Sequence, residues 1–344
     1  MIKVFFVEPN KDRNITTFAP LLKIADALPE FGLQRVLDEY RADLLIIGQS
    51  SILDKKFPLN DAVTNGIKFL QQLSKPYVII DGQDSHSLIG IAEILAQLPN
   101  AVVLKNSLLA DWKQYEIASP NGRLYWKDII ASNYRVDNIA SIQHRISLSG
   151  TNWLLTMPLS NLASIKWADT TKKPIDVFAY FGTKTHPNLE YGIDLASAYT
   201  NFRQLTLDNT PSKFKVAKLY TGQRVSSQEY HGTMLKSKIV LAPFGFGEIA
   251  PRDIEAAICG CLLLKPDMSY IVTSPNPFTQ EGFYYPYRHD ATDLGQAIEC
   301  ALDNYEHTIK QVQEQTREIM KTISDPMTVT SNFIQGLYNI GAIE

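Results

Sequence analysis

The stretch that most limits what this chain can fold into runs from Ser237 to Asp267, SKIVLAPFGFGEIAPRDIEAAICGCLLLKPD. Residues 239–242 are an unbroken apolar run of the length and make-up of a strand buried on both faces of a parallel sheet. Gly245-Phe246-Gly247 follows, where the missing side chains let backbone N–H groups come close to a ligand. Pro251 suits a first helical position, which needs no N–H. Arg252 and Glu255 are three apart, so they leave the same face of that first turn. Gly260 stops the helix, and residues 261–264 read as a second buried strand. A helix N-terminus beside an arginine is an anion site, most simply a phosphate site.

The same segment resembles something known. S-K-x-x-L-x-P-x-G, R-x-x-E-A and G-C-x-L are similar to the donor-site segment of GT-B glycosyltransferases, closest to the exostosin-like and "glycosyl transferases group 1" families. The matching residues are Gly245, Arg252, Glu255, Ala256, Gly260 and Cys261. The resemblance implies that Arg252 and Glu255 hold the diphosphate and ribose of a nucleotide sugar. Many retaining members carry two glutamates eight positions apart. Here the position eight before Glu255 is Gly247, and Glu248 is off register by one, so the pattern does not give the stereochemistry.

Apolar runs at residues 4–7, 42–47, 77–80 and 101–104 alternate with helical patterns such as 62–73 and 88–98. That alternation predicts a parallel sheet wrapped on both faces, with ligands beyond the carboxyl ends of its strands. Two loops fall there, residues 8–14 and Asp81-Gly-Gln-Asp-Ser-His86. In the second, Asp84 or His86 is a candidate general base for an acceptor hydroxyl. The competing reading is turn chemistry at Asp81-Gly82 and a helix cap from Asp84 or Ser85. Residues 123–149 are irregular, and packing explains their aromatic side chains better than an acceptor surface does.

Residues 164–174 are polar and end in Pro174, which marks a domain boundary before a fresh strand at 175–180. The loop after it, Phe181 to Asn188, resembles the hinge-side loop of GT-B enzymes. Gly182 and Lys184 are donor-phosphate candidates there, with a plain solvated lysine as the alternative. Asn188 reads as the cap of a helix running through Leu195, and Tyr220 to Gly222 as a lining for the nucleotide base. Ser226-x-x-Glu229 is a capping box. Helices are expected at 292–304 and 306–322, and a last one after Pro326 suits a crossing back to the first domain by resemblance.

At 344 residues the chain is long for one core and suits two domains. Apolar content of 45% and charged content of 20% fit a globular protein, and a net charge of −3 argues against a nucleic-acid binder. The three cysteines, Cys259, Cys261 and Cys300, form no even disulfide framework and point to a reducing compartment. The start reads as a strand rather than a signal peptide, and no apolar run approaches the about 20 residues of a membrane span. The expected place is cytoplasmic, with a peripheral position at a membrane left open.

The expectation is therefore an α/β chain of two Rossmann-like doubly wound domains facing a cleft. Residues 1–170 form the acceptor side, 171–325 bind the nucleotide-sugar donor, and 326–344 cross back. The expected activity is hexosyl transfer from a nucleotide sugar to a glycan, lipid-linked or other hydroxyl acceptor, as in polysaccharide biosynthesis. Donor contacts are expected from Gly182, Lys184, Gly245, Gly247, Glu248, Arg252 and Glu255. No cofactor is expected: without a D-x-D pair, cations and a helix N-terminus would carry the load of a metal. Three rival readings remain: an NAD-dependent dehydrogenase using Gly245-x-Gly247-x-x-Ala250 with Asp267, a non-catalytic nucleotide-sugar-binding module, and a sugar-nucleotide epimerase.

Overall fold

The computed structural model describes residues 1–7, 15–83, 85–127, 131–151, 167–168, 173–183, 189–218 and 225–344. The first domain runs β1 (Ile2–Val7), α1 (Ile15–Ile24), β2 (Leu33–Arg35), β3 (Leu44–Gly48), α2 (Gln49–Ile52), α3 (Leu59–Gln71), β4 (Tyr77–Asp81), α4 (Ile91–Gln97), β5 (Val103–Lys105), β6 (Ser107–Leu109) and β7 (Ile146–Leu148). Six of these strands form one parallel sheet in the order β2-β1-β3-β4-β5-β7. Every residue of β3 is buried, which is why its sequence shows no alternation and why it sits in mid-sheet. Asp81 closes β4 and bonds the ammonium of Lys105 on the next strand at 2.6 Å, both buried. Its other oxygen takes the Gln83 N–H at 3.1 Å, the turn chemistry expected of Asp-Gly.

The second domain runs β8 (Ile175–Ala179), β9 (Leu189–Glu190), β10 (Ile193–Asp194), α5 (Ala196–Asp208), β11 (Val216–Lys218), α6 (Ser227–Met234), β12 (Ser237–Leu241), α7 (Pro251–Ile258), β13 (Leu262–Pro266), β14 (Ile271–Thr273), β15 (Tyr285–Tyr287), α8 (Leu294–Ser324) and α9 (Pro326–Asn339). Its main sheet is also parallel, ordered β11-β8-β12-β13-β15. Both sheets are laid down the same way. A first strand gains one neighbour on one side, and the chain then returns to its other side. The strand order reverses between β1 and β3, and again between β8 and β12, and ligands bind at such reversals.

Two helix expectations are corrected. No helix runs through Leu195 from the segment before it, because residues 189–194 form the β9–β10 hairpin. Its turn residues, Tyr191 and Gly192, both have positive φ, as a two-residue hairpin loop requires. The helices expected at 292–304 and 306–322 are one, α8, since neither glycine nor proline stands at the join and Tyr305 there is buried. Ser226 does cap α6, its hydroxyl accepting the Glu229 N–H at 3.1 Å.

Backbone contacts and packing tie the domains together. Strand β14 pairs antiparallel with β6, Ile271 opposite Leu109. The β9–β10 hairpin bonds the first domain through Tyr191 N–H to the Lys55 carbonyl at 2.9 Å. Helix α9 lies against the end of β7, so close that a Cβ on Gly336 would stand 2.5 Å from the Leu148 carbonyl oxygen. Burying Val329, Phe333, Ile334 and Leu337 there contributes about 1.5–3 kcal/mol apiece before chain entropy is subtracted. Among the described residues no helix is long and apolar enough to cross a membrane.

Candidate active site

A cavity of about 750 Å³ opens beyond the carboxyl ends of β8 and β12, at the second sheet's reversal point. The loop between β12 and α7 forms its floor, through Gly245, Phe246, Gly247, Ile249 and Ala250. Arg252 and Glu255 project into it from α7, Arg203 from α5, and Tyr230 and His231 from α6. Lys55, Gly82 and Gln83 close it from the first domain. Gly82 and Gln83 belong to the loop after β4, one of the two loops the sequence singles out.

Helix α7 begins at Pro251, and its first turn is fixed by a buried pair. Asp253 accepts the Ala250 N–H at 3.0 Å and the Lys265 ammonium of β13 at 3.0 Å. Burial raises this carboxyl and lowers this ammonium, with each charge offsetting part of the other's shift. The helix ends at Ile258, and Gly260 just beyond it has a φ of 68°, the left-handed value that favours glycine after a helix.

On the cavity wall the side chains form one connected network. Arg252 donates through Nε to the Tyr230 hydroxyl at 3.1 Å and through Nη2 to the Tyr180 carbonyl at 2.9 Å. The Tyr230 hydroxyl donates in turn to Glu255 Oε2 at 3.4 Å, and burial raises its pKa, which keeps that proton on the tyrosine. His231 Nε2 stands 3.7 Å from Glu255 Oε1. Glu255 thus lines the cavity with Tyr230 and His231 beside its carboxylate.

Arg203 is a cavity residue the sequence did not announce. Its guanidinium lies 3.8 Å from the centroid of the Tyr199 ring, which stacks on Phe246 at 4.8 Å with the planes 9° apart. Nη1 donates to the Gly182 carbonyl at 3.2 Å. Burial pulls this guanidinium down to about 10, Tyr199 opposes that shift, and the like charge of Arg252 adds to it. Among the described residues neither Arg203 nor Arg252 bonds a carboxylate. An arginine inside a helix with sequence NFRQLTLD looks like any solvated arginine, and only the fold turns it toward the cleft.

Several expected contacts are arranged differently. Gly245 lines the cavity, but its N–H is turned to the Gly247 carbonyl at 3.2 Å rather than offered outward. Neither glycine has positive φ, so what Gly245 supplies is room, with Arg203 Nη2 3.6 Å from where a Cβ would be. Gly182 acts through its carbonyl on Arg203 and is not in the cavity wall. Glu248 points away from the cavity and bonds His86 Nδ1, both side chains fully buried. Leu124 N–H donates to His86 Nε2 at 3.3 Å. With both ring nitrogens engaged inside the protein, His86 has no lone pair free for an acceptor hydroxyl. Asp84, Lys184, Asn188 and residues 220–222 lie outside the described residues.

Cys259 and Cys261 are buried and serve packing. Burial raises the Cys261 thiol to about 12. Lys173 lies beside it, donating to the carbonyls of Leu235 at 2.9 Å and Cys259 at 2.6 Å, at the carboxyl ends of α6 and α7. Among the described residues no group of three or more His, Cys, Asp or Glu is placed to hold a metal ion.

No protein-family profile matches the chain, and no curated protein matches it. Solved structures similar over nearly its whole length include HepE of Anabaena in complex with UDP-glucose, at 10% identity over 98% of this chain and 100% of that one, TM-score 0.41. A glycosyltransferase from Rickettsia africae is similar at 10% identity over 98% of each chain, TM-score 0.43. A UDP-GlcNAc 2-epimerase of Methanocaldococcus jannaschii is similar at 13% identity over 92% of this chain and 97% of that one, TM-score 0.38.

Proposed function

We propose that this chain is a glycosyltransferase that binds a nucleotide sugar in the cavity between its domains and passes the sugar to a hydroxyl acceptor entering from the first-domain side. One observation carries the reading: two guanidinium groups, Arg203 and Arg252, share a half-closed cleft in which neither bonds a carboxylate among the described residues. Like charges held together in a partly dry site are costly alone, and an anion bound between them removes that cost. A diphosphate has the charge to meet both, and arginine geometry suits its oxygens.

The rest of the wall fits the remainder of such a donor. Glu255 is held by Tyr230 and His231 with its oxygens toward the cavity, where it would accept from ribose hydroxyls. In the transfer, the bond from the sugar's anomeric carbon to the phosphate oxygen breaks and one to the acceptor oxygen forms. The leaving diphosphate gains negative charge, which the two arginines stabilise where it develops. The acceptor proton goes to a base on the first-domain side. Asp84 is the residue we assign, because Gln83 beside it in sequence lines the cavity and an aspartate is ionised at neutral pH.

The dehydrogenase reading finds no support. A dinucleotide fingerprint needs its glycines in a tight turn joining strand to helix. Here residues 242–250 separate β12 from α7. The test is a thermal-shift and calorimetry screen of uridine, guanosine and adenosine diphosphates, their sugar conjugates and NAD. A nucleoside diphosphate at a hundredfold its Kd should stabilise the fold by about 2.7 kcal/mol. Binding of NAD alone, or of none of these, would sink the proposal.

A further inference from the structure

The floor of the cavity is a second-domain loop, yet first-domain side chains hold it. Arg123 is buried, and its Nε donates to the Phe246 carbonyl at 2.8 Å. The Tyr125 hydroxyl donates to the same oxygen at 2.9 Å. Arg123 Nη2 also bonds Glu190 Oε2 at 2.9 Å, and its guanidinium lies over the Trp126 ring at 5.7 Å. Glu190 is bonded in turn by Lys55, which lines the cavity. Neither Arg123 nor Tyr125 belongs to the cavity wall.

Phe246 does more than close the turn between Gly245 and Gly247. Its ring is the base of a stack that continues through Tyr199 to the guanidinium of Arg203. Arg123 and Tyr125 fix the carbonyl of this residue, and its ring fixes the position of the arginine. A planar stack with 9° between its rings transmits a displacement directly, because sliding one ring uncovers the other. A guanidinium resting on that stack moves with it.

We infer that Arg123 is a positioning residue for the donor site: it acts across the domain boundary, through the Phe246 carbonyl and the Phe246–Tyr199 stack, to set Arg203 where it meets the donor's diphosphate. This rests on the nucleotide-sugar reading above. It goes further in making one domain's grip on the donor depend on contact with the other domain, through residues that never touch the ligand.

A double-mutant cycle tests it, with the tightest-binding of uridine, guanosine and adenosine diphosphate as probe and Kd by calorimetry as readout. Arg123→Gln should weaken binding about tenfold, the size of coupling that contacting groups show. In an Arg203→Gln background the same change should cost less than about twofold, because the residue it positions is gone. Tyr125→Phe removes one hydroxyl and no charge, should fold, and should weaken binding about threefold in the same direction, since one of two bonds to that carbonyl remains. If Arg123→Gln does not fold, Tyr125→Phe and its combination with Arg203→Gln complete the cycle. A fall in Tm alone counts for nothing, as a structural role predicts it too. Unchanged affinity, or the same loss whether or not Arg203 is present, would overturn the inference while leaving the donor site standing. A wild-type protein that binds none of the three diphosphates would take down both.

Discussion

His86 and Glu248 meet across the domain boundary, 162 residues apart, with neither side chain exposed. Because Leu124 N–H donates to His86 Nε2, the proton of the ring sits on Nδ1 and is directed at the carboxylate. The ring N–H and Glu248 Oε1 satisfy each other in a place water does not reach, while Glu248 Oε2 is buried with no hydrogen-bond partner among the described residues. His86→Ala should strand the Glu248 carboxylate and cost about 3–5 kcal/mol. Glu248→Gln keeps an acceptor for Nδ1–H and should cost about 1 kcal/mol. Urea denaturation of both variants decides, and equal costs would show that the pair itself is not what matters.

The donor contacts can be separated from folding. Arg252 is half-buried at the start of α7 and carries little core packing. Arg252→Ala should leave Tm nearly unchanged and weaken nucleoside diphosphate binding by about 1.5–3 kcal/mol, the worth of a charge-assisted contact. With Arg203 and Arg252 supplying the positive charge, donor affinity and turnover should persist in excess chelator. Loss on chelation, restored by magnesium or manganese, would show that a metal shares that task.

The architecture was legible in the sequence where one physical signal dominates. Buried parallel strands such as β3, β4, β12 and β13 carry unbroken apolar runs, and Pro251 and Gly260 bracket α7 by backbone chemistry that is local. The site was legible only in part. Arg252 and Glu255 share a helix face, so their spacing placed them together. Arg203, Arg123 and the His86–Glu248 pair depend on contacts made after the chain has doubled back, and no local pattern encodes those. The β9–β10 hairpin escaped because Tyr-Gly at its turn lacks the Asn-Gly signature that announces such loops.

Acid should loosen the join between domains through Glu190. Burial raises this carboxyl, but the charges of Arg123 and then Lys55 lower it by more, leaving it below the usual carboxylate range. A depressed folded-state value means stability that is present above the unfolded value, about 4.3, and lost as pH falls through the folded one. Glu190→Gln should cost about 3 kcal/mol at pH 7, since it leaves Arg123 buried without its counter-charge. That gap should narrow as pH falls below the unfolded value of about 4.3 and wild type loses its advantage. Thermal melts of the two proteins across this range test it, and a gap that does not change with pH would remove Glu190 from the account.

The base assignment is tested at Asp84. Asp84→Asn keeps the size of the side chain and removes its charge, so a loss of turnover in a folded variant reads as lost chemistry. Turnover should fall by about 10²–10⁴ with donor affinity retained, the range for a lost general base. Normal turnover in a folded variant would clear Asp84.

Helix α9 carries a consequence for how the chain is made. Its buried face covers the end of β7, and Gly336 sits against that strand with no space for a side chain. Synthesis delivers residues in order, at roughly 5–20 per second, and domains ordinarily mature as they emerge. This first domain cannot: the helix that seals it is the last element translated, after the rest of the second domain. Until residue 339 leaves the ribosome, the apolar rim around Leu104 and Leu148 stays wet, and a chaperone that binds apolar surface has its window there. Nascent chains stalled before Pro326 should be cut by protease within the first domain, and the released 344-residue chain should resist.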